Sequence, residues 1–298
     1  MISRREFHKI VAGAAVSSVP VARAYSAVFS GGVSVDAHAH VFTRGLTLAS
    51  VHRYAPDYDA LPESLISLLK AHELARCVLI QPSFLGTDNS YMVAALKAYP
   101  KVFRGVAVIN PETDRNSLEA LSKAGCVGLR LNLFGLPNPD LKSAAWRRVL
   151  DCIGGLGWHI EVHAEAARMA ELLRPMQEAR LKLVIDHFGR PDPELGVNDP
   201  GFRFLLKASE SRSVWMKISG AYRNGTNGRG EQMAMEAMPL LRSSFGLERL
   251  LWGSDWPHTQ FESKENYEKS LDILKRIMPE EHDRQQILVE TPKVLYGL

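Results

Sequence analysis

The feature that most constrains this chain is an alternation: eight short, apolar, β-branched runs separated by stretches with helical character. The strand candidates span residues 33–40, 76–83, 103–110, 126–133, 158–164, 182–189, 214–221 and 249–257. Each is closed by polar or turn residues, as expected of parallel strands buried on both faces. Between them, residues 61–74 repeat apolar side chains at Leu65, Leu68 and Leu69, and residues 144–156 and 166–179 follow the same period. Residues 264–278 are amphipathic, with Leu271 and Leu274 inward, and Asp114 stands where a helix N-cap belongs. Barrels of about 250 residues are routinely single domains, so the length does not require two. An open doubly wound sheet would more often carry a glycine-rich phosphate loop after its first strand. Here that strand ends Asp36-Ala37-His38-Ala39-His40. The expectation is therefore the α/β class, as a single-domain (β/α)8 TIM barrel over residues 25–298.

The first 24 residues stand apart. They open Ser3-Arg4-Arg5-Glu6-Phe7-His8-Lys9, continue in an apolar run from Ile10 to Val19, and end Pro20 … Ala22-Arg23-Ala24. Twin arginines, a moderate apolar stretch and an Ala-x-Ala ending form the layout of an exported precursor, here a twin-arginine-type signal peptide over residues 1–24. An amphipathic helix is the alternative, but the run is apolar and small all round, with no polar face. The expectation is export to the periplasm by the twin-arginine machinery, leaving a mature form with no stable membrane anchor.

Removing that segment changes the charge argument. Arg4, Arg5, Lys9 and Arg23 against Glu6 account for the whole-chain formal charge of +3, so the mature protein lies near neutrality. No electrostatic footprint for nucleic acid remains. Cys77, Cys126 and Cys152 show no metal-type spacing, and Cys77 and Cys126 enter apolar runs as core residues. An odd count without pattern does not make a disulfide framework.

In a barrel, residues at the C-terminal ends of strands face the catalytic mouth while mid-strand residues pack the core. Polar residues at the ends of apolar strands are thus the informative ones. His38 and His40 lie two apart on one strand and share a face. A lone His-x-His is a weak signal. It gains weight from Glu161-Val162-His163, Asp186-His187 and Ser254-Asp255 at three other strand ends. A carboxylate on the last strand facing several imidazoles can deprotonate water and stabilise a developing oxyanion. His38, His40, His163 and Asp255 could equally hold one divalent metal, Zn²⁺ above all, with His187 as a further ligand or a nearby acid.

Five segments carry a family resemblance: Val35-Asp36-Ala37-His38-Ala39-His40; Gln81-Pro82-Ser83 with Gly86-Thr87-Asp88-Asn89; Gly128-Leu129-Arg130-Leu131-Asn132; Ile185-Asp186-His187-Phe188-Gly189-Arg190-Pro191; and Leu251-Trp252-Gly253-Ser254-Asp255-Trp256-Pro257-His258. Together, across residues 33–298, the chain resembles the amidohydrolase-2 branch of the amidohydrolase superfamily. Within it the chain is most similar to the lactonase group, whose members open pyrone dicarboxylates, sulfomuconolactones and sugar lactones. The resemblance implies hydrolysis of a cyclic ester, with Asp255 as the general base and His38, His40 and His187 polarising the carbonyl. The pyrone dicarboxylate type works without metal and carries tyrosine on the fifth strand. His163 stands there in this chain, which favours a metal site, with a donor to substrate as the other role. Arg130 matches an arginine that grips a substrate carboxylate, as a guanidinium fork can. A second arginine expected just downstream is missing, where the chain reads Phe134-Gly135-Leu136. Ser83, Tyr222 and Arg223 are further candidate contacts, as are Lys217 and Trp256, the last of which could instead be an apolar cover for the mouth.

Two other functions compete. A metal-dependent decarboxylase of the aminocarboxymuconate type shares the barrel, a His-x-His and a late aspartate. A non-catalytic ligand-binding barrel would have no need of a base at Asp255. Specificity for the small-molecule substrate is expected in the loops at residues 43–61 and 223–232.

Overall fold

The computed structural model describes residues 32–298, so the expected signal over residues 1–24 lies outside the described residues. Eight parallel strands follow one another around a barrel: β1 Val35–Ala39, β2 Arg76–Ile80, β3 Phe103–Ala107, β4 Cys126–Asn132, β5 His159–His163, β6 Lys182–Ile185, β7 Val214–Ser219 and β8 Leu250–Gly253. Ladders join each strand to the next. The last joins the first through a parallel bridge between Ala39 and Trp256, with the His40 N–H donating to the Trp256 carbonyl at 2.8 Å. The (β/α)8 expectation holds.

Strand alternation divides the apolar residues into two cores. Leu79, Ile160, Val162, Leu183 and Ile185 face outward against the helices, among them α1 Pro62–Ala71, α2 Ala144–Gly155 and α3 Met169–Glu178. Val35, Ala37, Val78, Ile80, Val106, Val184 and Leu251 cluster in the barrel's interior, closed at the strand-start end by Leu295 and Tyr296. All three cysteines are buried and free. No helix among the described residues is long and apolar enough to cross a membrane.

Several boundaries differ from the sequence reading. Asp114 does cap its helix, accepting from the Ser117 N–H at 2.7 Å. The stretch 166–179 is broken by a 3-10 turn at Ala166–Arg168 before α3 begins. The helix expected from residue 264 starts at Tyr267, because Asn266 takes the N-cap and accepts from the Lys269 N–H at 2.9 Å. The expected specificity loop at 223–232 is shorter than supposed: Ala221–Asn224 form a 3-10 turn, and a helix over Arg229–Phe245 already includes its last residues. Trp256 is no cover for the mouth. It packs, half-buried, against Phe42, Ala60, Phe84 and Leu85 beneath the long loop after β1.

Candidate active site

The site is built on the seam between β1 and β8. The buried Asp36 carboxylate spans it, with Oδ1 accepting from the His38 N–H at 3.0 Å and the Ser254 N–H at 2.9 Å. Its Oδ2 accepts from the Tyr267 hydroxyl at 2.9 Å. Burial pushes this carboxyl up, and the hydrogen bonds oppose the shift. One residue on, Asp255 adopts a left-handed φ of 61° while its N–H donates to the His38 carbonyl at 2.8 Å. Such a backbone is costly for a non-glycine residue and is sustained here by bonds on both sides.

The two oxygens of Asp255 have different surroundings. Oδ2 accepts from the Tyr222 hydroxyl at 2.6 Å and from Arg223 Nε at 2.5 Å. Oδ1 is buried without a hydrogen-bond partner, 3.8 Å from His38 Nε2 and 3.7 Å from His40 Nε2. Burial alone would raise the Asp255 carboxyl, but Arg223 and the surrounding imidazoles hold it well below the usual carboxylate range. It is therefore an ionised base with one free oxygen.

The imidazoles converge from separate strands. His187 follows β6 at φ 50°, its Nδ1 2.9 Å from Ser219 Oγ, and its ring lies 4.7 Å from that of His38. His163 ends β5, stacks on Phe134 and meets His187 edge-on at 5.1 Å. Asn132 Oδ1 accepts from His163 Nδ1 at 3.0 Å and from Arg53 at 3.2 Å, so His163 Nε2 is left as a buried, unpartnered lone pair. Burial lowers all four histidines, His187 to about 3, and so each imidazole is neutral at neutral pH. Gly220, at φ 53°, makes room for this packing: a Cβ there would lie 2.8 Å from Asp255 Oδ2 and 2.9 Å from His187 Nδ1.

Beneath the imidazoles lies a fully buried charge quartet. Lys217 Nζ bonds Glu161 Oε2 at 2.5 Å and sits 3.5 Å from Asp186 Oδ1. Arg130 donates to Asp186 Oδ2 at 2.9 Å and lies 3.5 Å from Glu161 Oε1. Two cations thus face two carboxyl groups: burial and the neighbouring Asp186 push Glu161 up to about 8, while Lys217 and Arg130 hold Asp186 well below its ordinary value against burial. Arg130 also lines the cavity, while its Nε and Nη2 donate to Asp186 Oδ2.

Above, a cavity of about 210 Å³ has His40, Ser83, His163, His187 and Asp255 at its base. Its walls carry Arg53, Arg190 and Arg223 with Phe134 and Phe261. The Arg190 guanidinium lies 4.2 Å over the Phe134 ring, and Arg53 donates to the Phe134 carbonyl. Seven of the nine site residues expected from sequence, His40, Ser83, Arg130, His163, His187, Arg223 and Asp255, line this cavity. His38 lies just beneath, and Tyr222 stands one layer back against Asp255. Asn132, Arg53 and Arg190 were not singled out. Asn132 and Arg190 sit within quoted motifs at strand ends, but Arg53 comes from a loop without periodicity.

Among the described residues, two groups of donors have a metal site's dimensions: His38, His187 and Asp255, and His38, Glu161 and Asp186. In the second, Lys217 Nζ already stands among the same atoms, 3.2 Å from His38 Nδ1, so an ion does not fit. The first fits one divalent cation in position, since His38 Nε2 and Asp255 Oδ1 are buried and unpartnered. This set differs from the one expected: His187 takes part, while His40 and His163 stand beside it.

The family model described as Amidohydrolase matches residues 35–298. A 2-pyrone-4,6-dicarboxylate hydrolase from Comamonas testosteroni is 34% identical over 280 residues, spanning 88% of this chain and 90% of that protein. A 4-sulfomuconolactone hydrolase from Hydrogenophaga intermedia is 29% identical over 276 residues, 89% of this chain and 88% of that one. The crystal structure of a probable 2-pyrone-4,6-dicarboxylic acid hydrolase from Acinetobacter baumannii, with citric acid bound, superposes with a TM-score of 0.87. It is 40% identical and covers 89% of this chain and 100% of its own.

Proposed function

The chain belongs to the amidohydrolase family, and from that premise we propose that it is a hydrolase opening a cyclic ester that bears negatively charged groups. The observation that carries this reading is the ionised Asp255 carboxylate, with one free oxygen facing neutral imidazoles inside an arginine-walled cavity. Water approaching Asp255 Oδ1 gives it a proton as its oxygen attacks the lactone carbonyl carbon. His40 donates its Nδ1 proton to the Ile80 carbonyl at 2.7 Å, which leaves Nε2 as an acceptor able to orient that water. His38 and His187 face the carbonyl oxygen as it becomes an oxyanion. Collapse of the tetrahedral intermediate breaks the ring C–O bond, and the leaving oxygen takes the proton back from Asp255.

A divalent cation held by His38, His187 and Asp255 would add Lewis acidity and lower the pKa of a bound water. The arginine expected after Arg130 is missing, but Arg53 and Arg190 bring positive charge to the same cavity from other loops. Substrates of the named relatives carry carboxylate or sulfonate groups, which suits these walls. The decisive test is a panel of anionic and neutral lactones followed by pH indicator, with and without added Zn²⁺. Opening of the anionic members supports the reading. Failure on the whole panel refutes it, and CO2 release from an unsaturated acid would make the chain a decarboxylase instead.

The reading includes location. Residues 1–24 are proposed to direct twin-arginine export to the periplasm, checked by fractionating cells that express the chain with Arg4 and Arg5 both changed to lysine. Loss of the periplasmic fraction is expected, and undiminished export overturns this part.

A further inference from the structure

We propose that Lys217 is a positioning residue that fixes His38 as the Nε2–H tautomer, so that the His-x-His pair faces the cavity with opposite senses, His38 donating and His40 accepting. Lys217 is wholly buried, and its Nζ stands 3.2 Å from His38 Nδ1. An ammonium has hydrogens to give and no lone pair to offer. The contact therefore requires a lone pair on Nδ1 and puts the single ring proton of neutral His38 on Nε2. Two carboxylates compete for the opposite tautomer, Asp186 Oδ1 at 3.4 Å and Glu161 Oε1 at 3.7 Å from the same nitrogen. Both are longer than the 3.2 Å lysine contact. A doubly protonated ring does not resolve the competition, since it would set an Nδ1–H against the ammonium at 3.2 Å, two cations face to face.

The neighbouring histidine is set the other way by the backbone. His40 Nδ1 lies 2.7 Å from the Ile80 carbonyl oxygen, which can only accept, and Nε2 is left with its lone pair. Two imidazoles two residues apart, 5.0 Å between centroids, thus present unlike faces to one reacting centre. His38 Nε2, buried and unpartnered in the free protein, becomes a preset donor for an oxyanion. The same proton obstructs an ion, since ligation through His38 Nε2 requires the lone pair that Lys217 has placed on Nδ1. Lys217 thereby tilts the site toward hydrogen-bond chemistry at an address whose positions would suit a metal.

The catalytic consequence rests on the lactone reading, but the tautomer does not, because it is measured without substrate. The experiment is long-range proton–nitrogen correlation on the chelator-treated protein with isotope-labelled histidine, with His38 assigned by its loss in His38→Gln. The Nε2–H pattern is expected for His38, and an Nδ1–H pattern overturns the proposal whether or not any variant folds. The paired variant Lys217→Met/Glu161→Gln removes the ammonium together with the carboxyl group it bonds at 2.5 Å, so that neither is left without the other. In it His38 is expected to turn to Nδ1–H, donating to Asp186. Zn²⁺ is expected to bind about tenfold tighter in calorimetry. With an accepted lactone, kcat is expected to fall about 10²-fold with KM little changed. An unaltered His38 tautomer in that variant overturns the role of Lys217.

Discussion

Two layers of buried polar groups lie one above the other in this barrel, and they are finished differently. The lower layer, Glu161, Asp186, Arg130 and Lys217, keeps a cation 3.5 Å even from Glu161 Oε1 and Asp186 Oδ1, its two oxygens without a hydrogen bond. The upper layer leaves Asp255 Oδ1, His38 Nε2 and His163 Nε2 buried with no partner. Buried polar atoms without partners cost free energy, and a native protein keeps them where something else will complete them. The contrast separates support from chemistry. Damage to the lower layer should appear first as lost stability, reaching the rate only through the Lys217–His38 contact, and damage to the upper layer as lost rate.

The largest expected effect is on the upper layer. Asp255→Asn should lower kcat by on the order of 10³- to 10⁴-fold, measured as steady-state opening of whichever lactone the panel identifies. Near-normal turnover would erase the distinction between the layers. On the lower layer, Lys217→Met alone should cost about 3–5 kcal/mol in denaturant unfolding, because it leaves buried carboxylates under-compensated. The paired Lys217→Met/Glu161→Gln variant should recover part of that loss.

Gly220→Ala touches the upper layer by shape alone. With φ at 53° and a Cβ crowding Asp255 and His187, it should cost about 1–3 kcal/mol and lower kcat as well. Arg53→Gln, on the cavity wall, should raise KM for an anionic lactone about tenfold with kcat nearly unchanged. The smallest effect is a displacement along the pH axis. Asp255 is held below its ordinary 3.8, so the active, ionised form persists above its depressed value, and activity falls only as pH drops through it. Arg223→Gln removes the cation chiefly responsible and should move that acid limb upward in a kcat/KM profile.

Much of this arrangement was legible in the sequence because parallel strands place their last residues at one rim. His38, His40, His163, His187 and Asp255 each terminate an apolar run, and the structure gathers them around one cavity. The lower layer was harder to see. Lys217 lies inside Val-Trp-Met-Lys-Ile-Ser, where a charge interrupting an apolar strand is itself a signal. Its partners Glu161 and Asp186 come from two other strands, and pairing across a barrel interior leaves no trace in local periodicity. Arg53 was illegible for another reason, since a loop's course is set by contacts such as Arg53 to Asn132 that no repeat announces. The helix starts were misplaced by a few residues where a cap, Asn266, outweighed amphipathic pattern.

Asp36 accepts from Ser254 across 218 positions of chain, and Asp255 follows one residue later. An incomplete chain, however well its early βα units have formed, cannot hold base and imidazoles together. Catalytic competence therefore arises only when the ring closes, in the last and most non-local step of assembly. Turnover in this protein doubles as a measure of topological completion, and a lesion at Asp36 should silence the enzyme without touching any atom that meets its substrate.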